Sequence, residues 1–351
     1  MMAAAPTDTN RRVLVTGGSG FLGRAIAARL VARGDVVRTL ARRQAPGLER
    51  LGVEQRQGDI ADAAAVERAC TGMDAVIHTA AKAGVWGPYE AYYGPNVQGT
   101  QNVIAACRRQ QVPLLVHTSS PAVIFDGTDM AGVDESAPYP DRFHAPYPET
   151  KALAEKAVRA AAGPHLRTVC LRPHLIWGPG DPHLAPRILA RTGRLRRVGD
   201  GANRVDTIFI DNAAEAHLLA LDRLAERPEI SGRVYFVSQD EPIPLWEMID
   251  RILAAGGKPP VTKSISPKAA IRAGVLCEWL FRTLHLSAEP PMTRFVAAEL
   301  ATSHWFNISA ARRDLGYAPK VTIDEGLERL AAWLRRGVLG QDPSDGSVGS
   351  V

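Results

Sequence analysis

A chain of 351 residues with 46% hydrophobic and 23% charged side chains can bury a full core, and its composition excludes a disordered or fibrous protein. The net charge of +5 is spread over separate pairs, Arg11-Arg12, Arg42-Arg43, Arg108-Arg109, Arg196-Arg197, Arg312-Arg313 and Arg335-Arg336, which argues against nucleic-acid binding. Cys70, Cys107, Cys170 and Cys277 lack CxxC spacing and the histidines lack HxxxH or HxH spacing, so neither a metal site nor a redox dithiol is expected, and reduced thiols fit a cytoplasmic protein.

Residues 1–10 are small and polar, without an apolar stretch of signal-peptide length, and are expected to be flexible. Arg12–Thr16 then reads as a short buried strand that stops at Gly17-Gly18-Ser19-Gly20-Phe21-Leu22-Gly23, ahead of a helical stretch from Arg24 to Arg33. Glycines at 17, 20 and 23 in that strand-turn-helix setting point to a dinucleotide phosphate site. Gly17 permits the tight turn, Gly20 lets backbone approach a pyrophosphate, and Gly23 allows close packing of the helix, with Phe21 and Leu22 of the same loop also placed at the cofactor.

The second strand, Val36–Leu40, runs into Ala41-Arg42-Arg43. A carboxylate there would take the adenosine ribose 2′-hydroxyl; two guanidiniums instead suit a 2′-phosphate, so NADP(H) is expected in preference to NAD(H). Asp59 and Ile60 are placed near the adenine. Ala80, Ala81 and Lys82 follow the apolar run Ala75–Thr79, where small residues leave room for a cofactor and Lys82 reads as a rim charge.

Further apolar runs at Leu114–Thr118 and Thr168–Leu171 alternate with helical segments near Ala61–Cys70, Asn96–Gln110 and Pro148–Ala162. That alternation predicts an α/β fold with a Rossmann-type, doubly wound parallel sheet. The dinucleotide-binding domain is drawn over residues 11–175, with 205–238 returning to it through Val205–Ile210 and Val234–Val237. Residues 176–204 and 239–336 form a smaller, mostly helical substrate domain. The Gly-, Ser- and Asp-rich residues 337–351 read as a flexible tail.

Tyr147 and Lys151 stand four residues apart at the start of a helical stretch and so share a face. A phenol, with an ordinary pKa of about 10, exchanges a proton nearer neutrality beside an ammonium, and can protonate a ketone oxygen as hydride arrives. Ser120, just after the Leu114–Thr118 strand, is expected to hydrogen-bond the same oxygen rather than attack it. Pro148 disfavours helical dihedrals in the residue before it, which places Tyr147 at the helix cap.

With TGGSGFLG at 16–23, HTAA at 78–81, NVQGTQN at 96–102, TSS at 118–120, YPETK at 147–151 and LRP at 171–173, the chain resembles the extended short-chain dehydrogenase/reductase family from Val13 to about Arg336. The resemblance implies Asn96 as a structural and proton-relay residue, and Pro173 to Leu175 as backbone that holds the nicotinamide carboxamide. Ile176–Asp181, Phe209–Ala213, Pro290–Arg294 and Leu315–Tyr317 resemble the 3β-hydroxysteroid dehydrogenase branch. Ala80–Gly87 and Arg172–Trp177 resemble, more narrowly, bacterial 2-alkyl-3-oxoalkanoate reductases of long-chain olefin synthesis.

These resemblances imply an NADPH-dependent oxidoreductase acting on a large apolar ketone or alcohol, a 3-oxo lipid or a steroid-like compound, assembled as a homodimer. Trp177, Leu175 and the cluster at 275–281 are expected pocket walls. The apolar segment Ala269 to Leu286 is interrupted by Arg272, Glu278 and Arg282, so a core or substrate-lining helix is expected rather than a membrane span, with peripheral membrane contact left open. Two alternatives stand beside this: a nucleotide-sugar epimerase or dehydratase, for which bound NAD is expected, and a non-catalytic NADPH-binding protein.

Overall fold

The computed structural model describes residues 10–286 and 288–338; the remaining residues expected to be flexible ends, 1–9 and 339–351, lie outside the described residues. Seven parallel strands form the main sheet: β1 (Arg12–Thr16), β2 (Val36–Ala41), β3 (Glu54–Gln57), β4 (Ala75–His78), β5 (Leu114–Thr118), β6 (Arg167–Pro173) and β7 (Arg233–Val237). Their order is β7-β6-β5-β4-β1-β2-β3. The chain first runs outward from β1 to β3 and then restarts at β4 on the other side of β1. A crevice opens at that reversal, beyond the carboxyl ends of β1 and β4, where ligands of such sheets bind.

The central strands read as unbroken apolar runs because helices cover both faces. Val13 and Val15 of β1 face one core with Ile26 and Leu30 of α1 (Phe21–Ala32), while Leu14 faces a second core with Val66 of α2 (Ala63–Cys70) and Val103 of α3 (Gly99–Arg109). The alternation is the period-2 pattern of a strand buried on both sides. Helix α4 (Pro146–Ala160) packs beside α3, and α5 (Ile210–Glu226) beside α1. Asp211 and Glu215 of α5 are structural: Asp211 pairs with Arg29 at 3.2 Å and Arg329 at 2.8 Å, and Glu215 with Lys320 at 2.7 Å.

Of the segments expected to return to the sheet, Arg233–Val237 does so as β7 beside β6. Val205–Ile210 does not form one strand. Arg204–Val205 joins a small second sheet with Ile243–Pro244, His304–Phe306 and Met130–Val133; Ile208–Phe209 pairs with Ile176–Trp177; and Ile210 begins α5. The break falls at Asp206, which is buried and whose carboxylate accepts the Phe306 N–H at 2.8 Å.

The C-terminal part is mostly helical: α6 (Leu245–Ala255), α7 (Pro267–Thr283), α8 (Arg294–Ala301) and α9 (Ile323–Val338) surround a core that includes Trp177, Phe209, Trp246, Ile249 and Leu330. Trp177 is therefore a core residue rather than a pocket wall, edge-on to Phe209 at 5.2 Å and donating its indole N–H to Thr207 Oγ1. The 275–281 cluster also departs from expectation. Val275, Leu276 and Trp279 are 48%, 56% and 59% exposed on the outer side of α7, because its inner side is taken up by α8: a Cβ at Gly274 would lie 2.8 Å from the Arg294 nitrogen. Among the described residues no helix is long and apolar enough to cross a membrane.

Candidate active site

The glycine loop after β1 has no room for side chains. Gly17 adopts φ 70°, the left-handed region, and a Cβ there would lie 2.9 Å from Ala80, while one on Gly23 would lie 2.2 Å from the Gly17 carbonyl oxygen. Gly20 caps α1 without a side-chain acceptor, which leaves the first-turn N–H groups around Phe21 and Leu22 for a ligand anion. A cradle of this shape at the sheet reversal fits the pyrophosphate of a dinucleotide.

Arg42 and Arg43 lie exposed at the end of β2. Asp59 is exposed and folds back on its own turn, accepting the Ala61 N–H at 2.9 Å, while Ile60 is buried beneath Gly99. Ala80 and Ala81 leave the crevice open on the β4 side. The Lys82 ammonium stands over the Tyr92 ring, 5.2 Å from its centroid.

Asn96 sits in the π-helical turn Gly94–Gln98 that leads into α3. Its Oδ1 accepts the Lys82 N–H at 2.7 Å, and its Nδ2 donates to the Lys82 carbonyl at 3.1 Å and to Thr150 Oγ1 at 3.0 Å. Asn96 thus clamps the loop after β4 to the first turns of α4. A second buried chain runs behind it, from Thr100 through His78 to Thr16.

Tyr147 lies inside the first turn of α4, whose cap is Ala145 at φ −154° and ψ 158°. The placement of Tyr147 at the cap is corrected: Pro146 and Pro148 both occupy first-turn positions, where no intrahelical N–H bond is lost, so the helix begins ahead of the phenol. Burial raises the Tyr147 pKa, the neighbouring Ser120 hydroxyl draws it back, and the Glu299 carboxylate pushes it up. Ser120 caps the short turn Pro121–Ile124, its Oγ accepting the Ala122 N–H at 3.2 Å.

Lys151 points elsewhere than the spacing suggests. It is buried, and its Nζ donates to the Thr118 carbonyl at 2.6 Å and stands 3.5 Å from His117 Nε2. Burial brings its pKa down to about 8, against a partial rise from the Glu155 carboxylate. With the ammonium drawn to the end of β5, the expected lowering of the phenol is not seen in this arrangement; the phenol is raised.

After β6, Pro173 is buried and His174 is pinned by Nδ1 to the Asp206 carbonyl at 2.8 Å. Leu175 adopts φ 46°, uncommon for a residue with a branched side chain. Backbone strain of this kind concentrates at ligand sites. Glu299 on α8 is the site group that motif reading misses; its signal is a single charge in the otherwise apolar run Phe295-Val296-Ala297-Ala298-Glu299-Leu300-Ala301.

The sequence profile of the 3-beta hydroxysteroid dehydrogenase/isomerase family matches residues 14–263. The chain belongs to that family. It is 52% identical over 326 residues to 2-alkyl-3-oxoalkanoate reductase from Stenotrophomonas maltophilia, covering 92% of this chain and 98% of that protein. It is 34% identical to the human decarboxylating sterol-4-alpha-carboxylate 3-dehydrogenase, covering 93% and 88%. The crystal structure of gox2253 superposes with a TM-score of 0.75 at 26% identity, over 93% of this chain and 99% of that one. As a member of the 3-beta hydroxysteroid dehydrogenase/isomerase family the chain is an oxidoreductase acting on CH–OH or keto groups.

Proposed function

We propose that this chain is an NADPH-dependent reductase of a large apolar 3-oxo acid of the 2-alkyl-3-oxoalkanoate type, with Tyr147 as proton donor. The observation that carries the reading is the Tyr147–Ser120 pair at the end of β5, beside the glycine cradle at the sheet reversal. NADPH supplies the hydride when bound. Arg42 and Arg43 would pair with its 2′-phosphate, the uncapped turn of α1 with its pyrophosphate, and the Pro173–Leu175 backbone with its carboxamide.

Ser120 donates a hydrogen bond to the ketone oxygen and so stabilises the charge that grows there. Tyr147 passes its proton to that oxygen as the alcohol forms. Lys151 holds the Thr118 carbonyl and so fixes the strand end on which Ser120 stands. Asn96 keeps the loop at 80–82 in register with α4.

The test is cofactor absorbance during reduction of a 2-alkyl-3-oxo acid by purified protein. Turnover with NADPH exceeding that with NADH, and lost about 10²–10⁴-fold in Tyr147→Phe, is the expected result. Full turnover in Tyr147→Phe would remove the phenol from the mechanism. NAD retained through purification, with turnover of a nucleotide sugar, would favour the epimerase reading instead.

A further inference from the structure

We propose that Glu299 binds the substrate carboxyl group carried on the carbon next to the reacting ketone, so that the site selects a 3-oxo or 3-hydroxy acid over a plain ketone or alcohol. This deepens the reading above and rests on it. Both relatives described above are named for substrates with that pattern, a 3-oxoalkanoate and a sterol 4-carboxylate worked on at position 3.

Helix α8 packs on α7 and reaches the turn after β5. Its Phe295 packs edge-on against Phe125 at 5.6 Å, and Phe125 directly follows the turn that Ser120 caps. Glu299 is one helical turn further along the same face of α8. It therefore looks back at the wall that holds Tyr147 and Ser120, near enough for its charge to be felt at the phenol. A ketone oxygen placed between the two hydroxyls leaves its neighbouring carbon, and any group on it, toward α8.

Other carboxylates around this part of the molecule are engaged: Glu278 by Arg294 at 2.9 Å, Asp206 by the Phe306 N–H and Asp314 by Arg233 at 2.9 Å. Among the described residues Glu299 has no hydrogen-bond or ion-pair partner, and desolvation alone sets its pKa, at about 8. A partly buried carboxyl without a protein partner is costly, and one this close to the phenol is completed by what binds beside it. Neutral at physiological pH, it offers an O–H to a substrate carboxylate, a short charge-assisted bond. The titratable groups around it do not supply that contact. Tyr147 on α4 is an uncharged phenol, Glu278 on α7 is held by Arg294, and His304 beyond α8 is kept neutral by burial, near 3, and bonded to Thr302.

The experiment measures oxidation, with NADP⁺, of a 2-alkyl-3-hydroxyalkanoate and of the secondary alcohol that lacks only its carboxyl, using wild type, Glu299→Gln and Glu299→Ala. Glu299→Ala is expected to raise KM for the acid about tenfold to a hundredfold and to change KM for the alcohol far less. Glu299→Gln, which keeps a donor, is expected to retain most of the acid affinity at neutral pH. It is also expected to abolish the weakening expected of wild type as pH rises through about 8. Equal losses on both substrates, or none on the acid, overturn the proposal while leaving the reductase reading in place. No turnover of either substrate by wild type removes the reductase reading and this proposal with it.

Discussion

Arg42 and Arg43 stand exposed at the end of β2, and β2 itself is held by β1 and β3, so removing them costs the fold little. Arg42→Ala combined with Arg43→Ala is expected to raise KM for NADPH by about tenfold or more, to leave NADH kinetics unchanged and to leave the melting temperature in place. Equal effects on both cofactors would place the 2′-phosphate elsewhere. The place of the two arginines was legible because the end of an apolar strand run can be read from the sequence. Lys151 was legible as a residue but not in its direction, since its ammonium is drawn by the Thr118 carbonyl at the end of a strand that is remote in sequence.

Helix α4 delivers the phenol, and a buried ion pair staples it to the sheet. Arg172 of β6 donates to both Glu155 oxygens, at 2.6 and 2.9 Å, and Tyr139 donates to the same carboxylate at 2.6 Å. Glu155→Gln leaves the Arg172 charge buried and unpaired, at a cost of about 3–5 kcal/mol seen as a lower melting temperature. The double variant with Glu155→Leu and Arg172→Met is expected to recover much of that loss. Burial pushes the Glu155 pKa up, but Arg172, with help from the Ser119 and Tyr139 hydroxyls, brings the net shift downward. A depressed carboxylate contributes stability above its unfolded pKa of about 4.3 and loses it as pH falls through the lower folded value. Denaturant titrations should therefore show wild type losing stability more steeply than Glu155→Gln below about pH 4.

The same scale shows what the sequence made readable. β1, β2, β4 and β5 announce themselves because helices cover both faces and most of the residues they carry are apolar. β3, Glu54-Gln55-Arg56-Gln57, lies at the sheet edge, where water reaches it, and so carries no apolar run. The run Val205–Ile210 looked continuous, yet Asp206 turns it between two sheets because its carboxylate is needed by Phe306.

Across the whole molecule, the glycine loop, Tyr147 and Ser120 come from the first half of the chain, where local motifs are readable even though Lys151 turns to the Thr118 carbonyl. Helix α8 belongs to the second half, and its position depends on Gly274, on the Glu278–Arg294 pair and on the Phe125–Phe295 contact. No local spacing encodes such an assembly, and that is why Glu299 stays hidden in an ordinary apolar helix. Gly274→Leu, which would force α7 away from the start of α8, is expected to impair turnover of the acid more than it lowers the melting temperature, as read by KM and by thermal denaturation.

The outer side of α7 carries Val275, Leu276, Trp279 and Leu284 uncovered in a single chain. A strip of that kind makes the protein's hydrodynamic behaviour sensitive to amphiphiles: concentrated solutions should sediment as larger species that mild detergent disperses, and Leu276→Gln with Trp279→Gln should flatten that response.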